Sequence, residues 1–93
     1  MEITPFDAAD YLETDEDIQD FLAEAMREGT ASEFLHALNT AARAKGMRET
    51  AKKAGIPRES LYRALRAKNP RFDTVMKATR ALGFNLEVVP AGR

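Results

Sequence analysis

Apolar residues recur at helical spacing along most of the chain, and glycines mark where the stripes stop. Ile18, Phe21, Leu22, Ala25 and Met26 form one stripe. "TDED" opens it, with Thr14 as N-cap and Asp17 three residues on, and Gly29 closes it. "TASE" opens the next, with Thr30 as cap and Glu33 answering it. Phe34, Leu35, Leu38, Ala41 and Ala42 then line one face up to Gly46. Upstream, "TPFD" carries the same kind of opening: Thr4 as cap, Pro5 in the first turn, Asp7 three residues after the cap. It predicts a short helix with Phe6 and Ala9 as its small apolar face.

After Gly46 the elements shorten. A two-turn helix is expected over 48–54, stopped by Gly55, and another over 57–66 with Pro57 at its start, where a missing N–H is harmless. "AKNPR" reads as a loop, because proline disfavours helix at Asn69. "FDTVMKATRALG" reads as a helix whose inner face is Phe72, Val75, Met76, Thr79 and Leu82, ended by Gly83. "FNLEVV" alternates, with Phe84, Leu86 and Val88 on one side, and predicts a strand ended by Pro90.

The two short helices on either side of Gly55 fit a helix-turn-helix. Such a unit needs a small residue where the helices cross, a turn residue tolerant of positive φ, and a second helix with an apolar inner and a polar outer face. Ala51 is the small residue, Gly55 the turn residue, and Ile56 plugs the turn. Leu61, Ala64 and Leu65 face inward; Glu59, Tyr62, Arg63 and Arg66 face outward, with Arg58 at the leading end. A cation at a helix N-terminus opposes the helix dipole by a few tenths of a kcal/mol. Reaching a base edge or a phosphate gives Arg58 a reason to be there. Glu59 can cap its helix, accept from a cytosine amino group, or exclude other bases. Arg48, Lys52 and Lys68 are the expected phosphate contacts. The plain alternative is a surface helix with solvated arginines.

The expected fold is therefore all-α: a five- to six-helix bundle containing a helix-turn-helix, with one short C-terminal β-strand. Its 93 residues suit a single domain. Three parts are expected within it: acidic helices over 1–29, a helix-turn-helix core over 30–83, and a strand and tail over 84–93.

Charge sharpens this division. The net charge of −1 conceals a balance of −8 over residues 1–45 and +7 over 46–93. Such polarity suggests two surfaces with different partners, unless the halves neutralise each other within the fold. There is no cysteine, which excludes disulfides and thiolate metal sites and fits a reducing cytoplasm. No apolar run approaches the roughly 18 residues of a spanning helix, so no membrane association is expected. The acidic start "MEITPFDAADYLETDED" does not read as a signal peptide. His36 is the single histidine and falls off the apolar stripe. Asp15–Asp17 lack the glycine and glutamate of a calcium loop. No P-loop or nucleophile motif is present. No enzyme, cofactor or metal is expected.

Residues 30–83 resemble the Cro/C1-type (XRE) helix-turn-helix domain. The segments "FDAADYL", "DEDIQDFLAEAM", "FLHAL", "ARAKGM", "ESLYRAL", "NPRFDTVMKATRALG" and "LEV" together resemble the HigA-like addiction-module antidote family. That resemblance covers nearly the whole chain. It implies an antitoxin that binds a RelE/HigB-like ribonuclease toxin and represses its own operon by binding operator DNA. Pro57 departs from the serine frequent in the family, so the second helix loses a side-chain N-cap. RelE-like toxins are basic, which makes the outward acids Asp15, Glu16, Asp20, Glu24 and Glu28 the candidate toxin face. A lone strand leaves its backbone groups unpaired. Pairing with a second copy through Phe84, Leu86 and Val88 is the expected route to a homodimer. The alternative within this fold is a free-standing repressor without a toxin; a pure protein-interaction module is the alternative outside it.

Overall fold

A computed structural model of the chain describes residues 7–91. A short 3-10 turn, Ala8–Tyr11, precedes five helices: α1 (Asp15–Glu28), α2 (Ala31–Lys45), α3 (Met47–Ala54), α4 (Arg58–Arg66) and α5 (Phe72–Ala81). The expected opening at Thr4, Pro5 and Phe6 lies outside the described residues. Asp7 caps the 3-10 turn, its carboxylate accepting from the Ala9 N–H at 3.1 Å.

Both predicted capping boxes form. Thr14 Oγ1 accepts from the Asp17 N–H at 3.0 Å, and the Asp17 carboxylate accepts from the Thr14 N–H at 3.2 Å. Thr30 Oγ1 accepts from the Glu33 N–H at 3.2 Å, and Glu33 returns the bond from the Thr30 N–H at 2.8 Å. Each box satisfies donors that a helix start leaves without intrahelical partners. Between them, Gly29 is needed for space rather than for φ: a Cβ there would lie 2.8 Å from the Ala25 carbonyl oxygen.

Helix α2 is the centre of the bundle and packs against all four other helices and the 3-10 turn. Leu38, Ala41 and Ala42 are fully buried, and the alanines let neighbours approach closely. Ile18 and Leu22 of α1, Leu61 and Leu65 of α4, and Val75, Ala78 and Leu82 complete the core. The acidic helix α1 is thus part of the bundle rather than an appendage, since its apolar face is core. Two expected core residues are exposed, Met26 at 49% and Phe72 at 67%, while Phe21, Ala25 and Met76 are half-buried. Met26 and Phe72 each sit at the edge of their helix's inward face, where no neighbouring element covers them.

The expected C-terminal strand is absent among the described residues. The chain after Gly83 runs extended, and the Phe84 N–H donates to the Thr79 carbonyl at 3.1 Å. A strand exists only through a paired neighbour, and this chain supplies none. The alternation survives in part: Phe84 and Leu86 pack against the core, while Val88 is 99% exposed.

Candidate nucleic-acid interface

Helices α3 and α4 are joined by Gly55, Ile56 and Pro57. Gly55 adopts the left-handed conformation, φ 74° and ψ 29°. Its N–H donates to the Lys52 carbonyl at 3.2 Å, and the Ile56 N–H donates to the Ala51 carbonyl at 3.1 Å. This is the Schellman closure, which requires a residue at ease with positive φ. No atom lies within 4 Å of a Cβ built on Gly55, so φ and not space imposes the glycine. Ala51 is buried at the crossing and Ile56 packs half-buried on the core, as their spacing predicts. Pro57 stands as the N-cap residue in extended conformation, with α4 beginning one residue later than expected, at Arg58.

Helix α4 presents two faces. Leu61 and Leu65 are buried, and Ala64 is half-buried beside them. Arg58, Glu59, Tyr62, Arg63 and Arg66 are all exposed. The Arg66 guanidinium lies 4.9 Å from the centroid of the Tyr62 ring, a cation–π contact that holds both groups outward. Arg48 and Lys52 are exposed on α3. Among the described residues, none of these cations has a carboxylate within 4 Å. The starts of α3, α4 and α5, at Gly46, Pro57 and Arg71, carry no side-chain cap. Their first N–H groups and the positive ends of their dipoles are left for an external acceptor. Lys68, the other expected phosphate contact, is exposed and lines a hollow with Met26, Asn69 and Phe72.

The outward acids of α1 divide into two kinds. Asp15 accepts from the Lys45 ammonium at 2.8 Å, and that hydrogen bond and charge hold its carboxyl below the usual value of 3.8. Glu16, Asp20, Glu24 and Glu28 are exposed with no cation within 4 Å among the described residues. Asp7 takes a two-pronged contact from Arg43, at 3.0 and 3.2 Å, which lowers its pKa together with the Ala9 N–H. The third ion pair, Lys77 to Asp73 at 3.3 Å, lies within α5. No ion pair among the described residues joins 1–45 to 46–93. The two charged halves therefore keep most of their charge for the outside.

Sequence reasoning missed Asn39. It is buried in α2, and its Oδ1 has no hydrogen-bond partner among the described residues. It lines a cleft of about 300 Å³ with Ser32, His36 and Arg66. No grouping of three or more histidines, cysteines or acids suited to a metal occurs among the described residues. No helix there is long and apolar enough to cross a membrane.

The bundle thus carries exposed cations on α3 and α4 and exposed acids on α1. The chain belongs to the family described as "Probable addiction module antidote protein", whose sequence model matches residues 2–90. It is 42% identical over 88 residues to an "Uncharacterized protein" of Haemophilus influenzae (strain ATCC 51907 / DSM 11121 / KW20 / Rd). That match covers 94% of this chain and 91% of the relative. No solved structure matches the chain.

Proposed function

We propose that this chain is the antitoxin of a type II toxin–antitoxin module and works as a homodimer in the cytoplasm. It neutralises a RelE/HigB-like ribonuclease toxin and represses its own operon by binding operator DNA through α3 and α4. The observation that carries the DNA part is the exposed, ion-pair-free basic face of α4, set by a Schellman turn against α3. Arg58, Tyr62, Arg63 and Arg66 read base edges in the major groove, with Glu59 restricting which bases are accepted. Arg48 and Lys52 neutralise phosphates, aided by the uncapped helix starts. Free acids on α1, Glu16, Asp20, Glu24 and Glu28, attract the basic toxin, while Asp15 is already engaged by Lys45. Phe84, Leu86 and Val88 belong to the subunit contact. The protein acts by binding, without cofactor or catalysis.

The test is to look for an adjacent reading frame encoding a small basic protein, co-express the chain with its product, and run a gel shift on the operon's own promoter. Co-purification, growth rescue and a salt-sensitive shift are expected. A shift with no co-purifying protein and no toxicity to rescue favours the free-standing repressor; rescue without any shift favours a pure interaction module.

A further inference from the structure

Two hollows of about 450 and 560 Å³ adjoin along one side of the bundle and share Met26, Phe34 and Phe72. Phe34 is their buried floor. Met26 and Phe72, the large apolar side chains left open by α1 and α5, stand where the hollows join. Val75 lines the first hollow; Leu22, Phe84 and Leu86 line the second. Together they form one apolar furrow, of a kind that marks an interaction surface on a small protein. Its ends carry opposite charge. Lys68 lines the first hollow and Glu87 the second. Both are exposed, and neither has an ion-pair partner among the described residues.

We infer that this furrow seats a second copy of the chain across a two-fold axis passing beside Met26 and Phe72. A two-fold axis at the middle of a furrow reverses its direction in the partner. Lys68 then comes to Glu87 of the partner subunit, and Glu87 to the partner's Lys68. The apolar centre meets itself, as an isologous contact requires. A partner of one charge sign would meet a like charge at one end, which weakens such pairing. The inference rests on the homodimer within the proposed function and names its surface. Phe84 and Leu86 take part as one wall of the furrow rather than as a paired strand. Lys68 is assigned to the subunit contact instead of to phosphate.

The experiment is sedimentation equilibrium of the full chain over a range of concentrations. It compares the wild type with F72E, K68E, E87K and the K68E/E87K double variant. The wild type is expected at the mass of two copies. F72E should raise the dimer dissociation constant about thirtyfold or more, as a charge enters the apolar centre. Each single charge reversal should weaken the dimer about two- to fivefold, in line with exposed ion pairs. The double variant should recover wild-type affinity, because both exchanged pairs are opposite again. That recovery tests the inference even if F72E fails to fold. A wild type of single-copy mass throughout, or a double variant no tighter than the weaker single one, overturns it. So does a folded F72E that stays dimeric with wild-type affinity, which would give the furrow to a partner other than a second copy. Mass needs neither toxin nor DNA, so failure of the antitoxin reading leaves this result interpretable.

Discussion

The first two helices of this bundle and the last three begin in different ways. α1 and α2 start in complete capping boxes, with Asp15, Glu16 and Asp17 in the first turn of α1. α3, α4 and α5 start without any side-chain cap, and α4 starts with an arginine. The early helices satisfy their own termini and carry acids where their dipoles favour them. The later helices forgo the caps and keep a single acid each in the first turn, Glu49, Glu59 and Asp73. A helix start left open, flanked by cations without partners, is suited to a polyanion such as the DNA backbone. The difference teaches that the chain has placed stability in one region and availability in the other. α2 joins them, contacting both and burying most of its inner surface.

The largest expected effect breaks both regions at once. Leu38 is fully buried in α2, so Leu38→Ala should cost about 2–5 kcal/mol of stability. Chemical denaturation should show one transition moving, since α1 and α4 share this core. Two separate transitions would mean that the regions are independent units.

A smaller effect should fall on one region alone. Arg63→Ala should cost about 1–3 kcal/mol of operator binding and relax preference at one base pair. Thermal melting should be unchanged, because Arg63 is exposed and makes no ion pair among the described residues. Toxin rescue in co-expression should also persist.

The caps themselves can be exchanged. Thr14→Ala should destabilise by about 1 kcal/mol, since α1 loses an acceptor in use. Arg71→Ser gives α5 a cap residue that it lacks, and denaturation should show stability rising by about 0.5–1 kcal/mol. Equal losses from both changes would contradict the contrast in helix starts.

The smallest effect is in acid. Asp7 and Asp15 have pKa values lowered by Arg43 and Lys45. A carboxylate lowered on folding contributes stability that is complete above its unfolded value, near 3.8, and is lost as pH falls through the lower folded one. Melting temperature should therefore drop more steeply below that value in the wild type than in Asp7→Asn.

Helices, caps and the turn were legible in the sequence because their causes are local. A capping box spans four residues, and the Schellman turn is written in Ala51, Gly55 and Ile56. Phe72 and Met26 were misplaced because periodicity defines a face, not where the neighbouring element ends. "FNLEVV" has the alternation of a strand, yet pairing depends on a second strand that no local pattern contains. The basic face of α4 could be read directly, but its freedom from ion pairs could not. The same limit hid the engagement of Asp15 by Lys45, thirty residues away, and the orphaned Oδ1 of Asn39. Both follow from tertiary placement.

The most direct test of the central claim is the salt dependence of binding to operator DNA, measured by fluorescence anisotropy. The account predicts that affinity falls linearly on a log–log plot as salt rises. Lys52→Ala should reduce the slope by about one unit, while Glu16→Gln with Glu24→Gln should leave it unchanged. A slope equally shallow in all three proteins, or binding that does not respond to salt, would contradict a DNA-facing role for the basic helices.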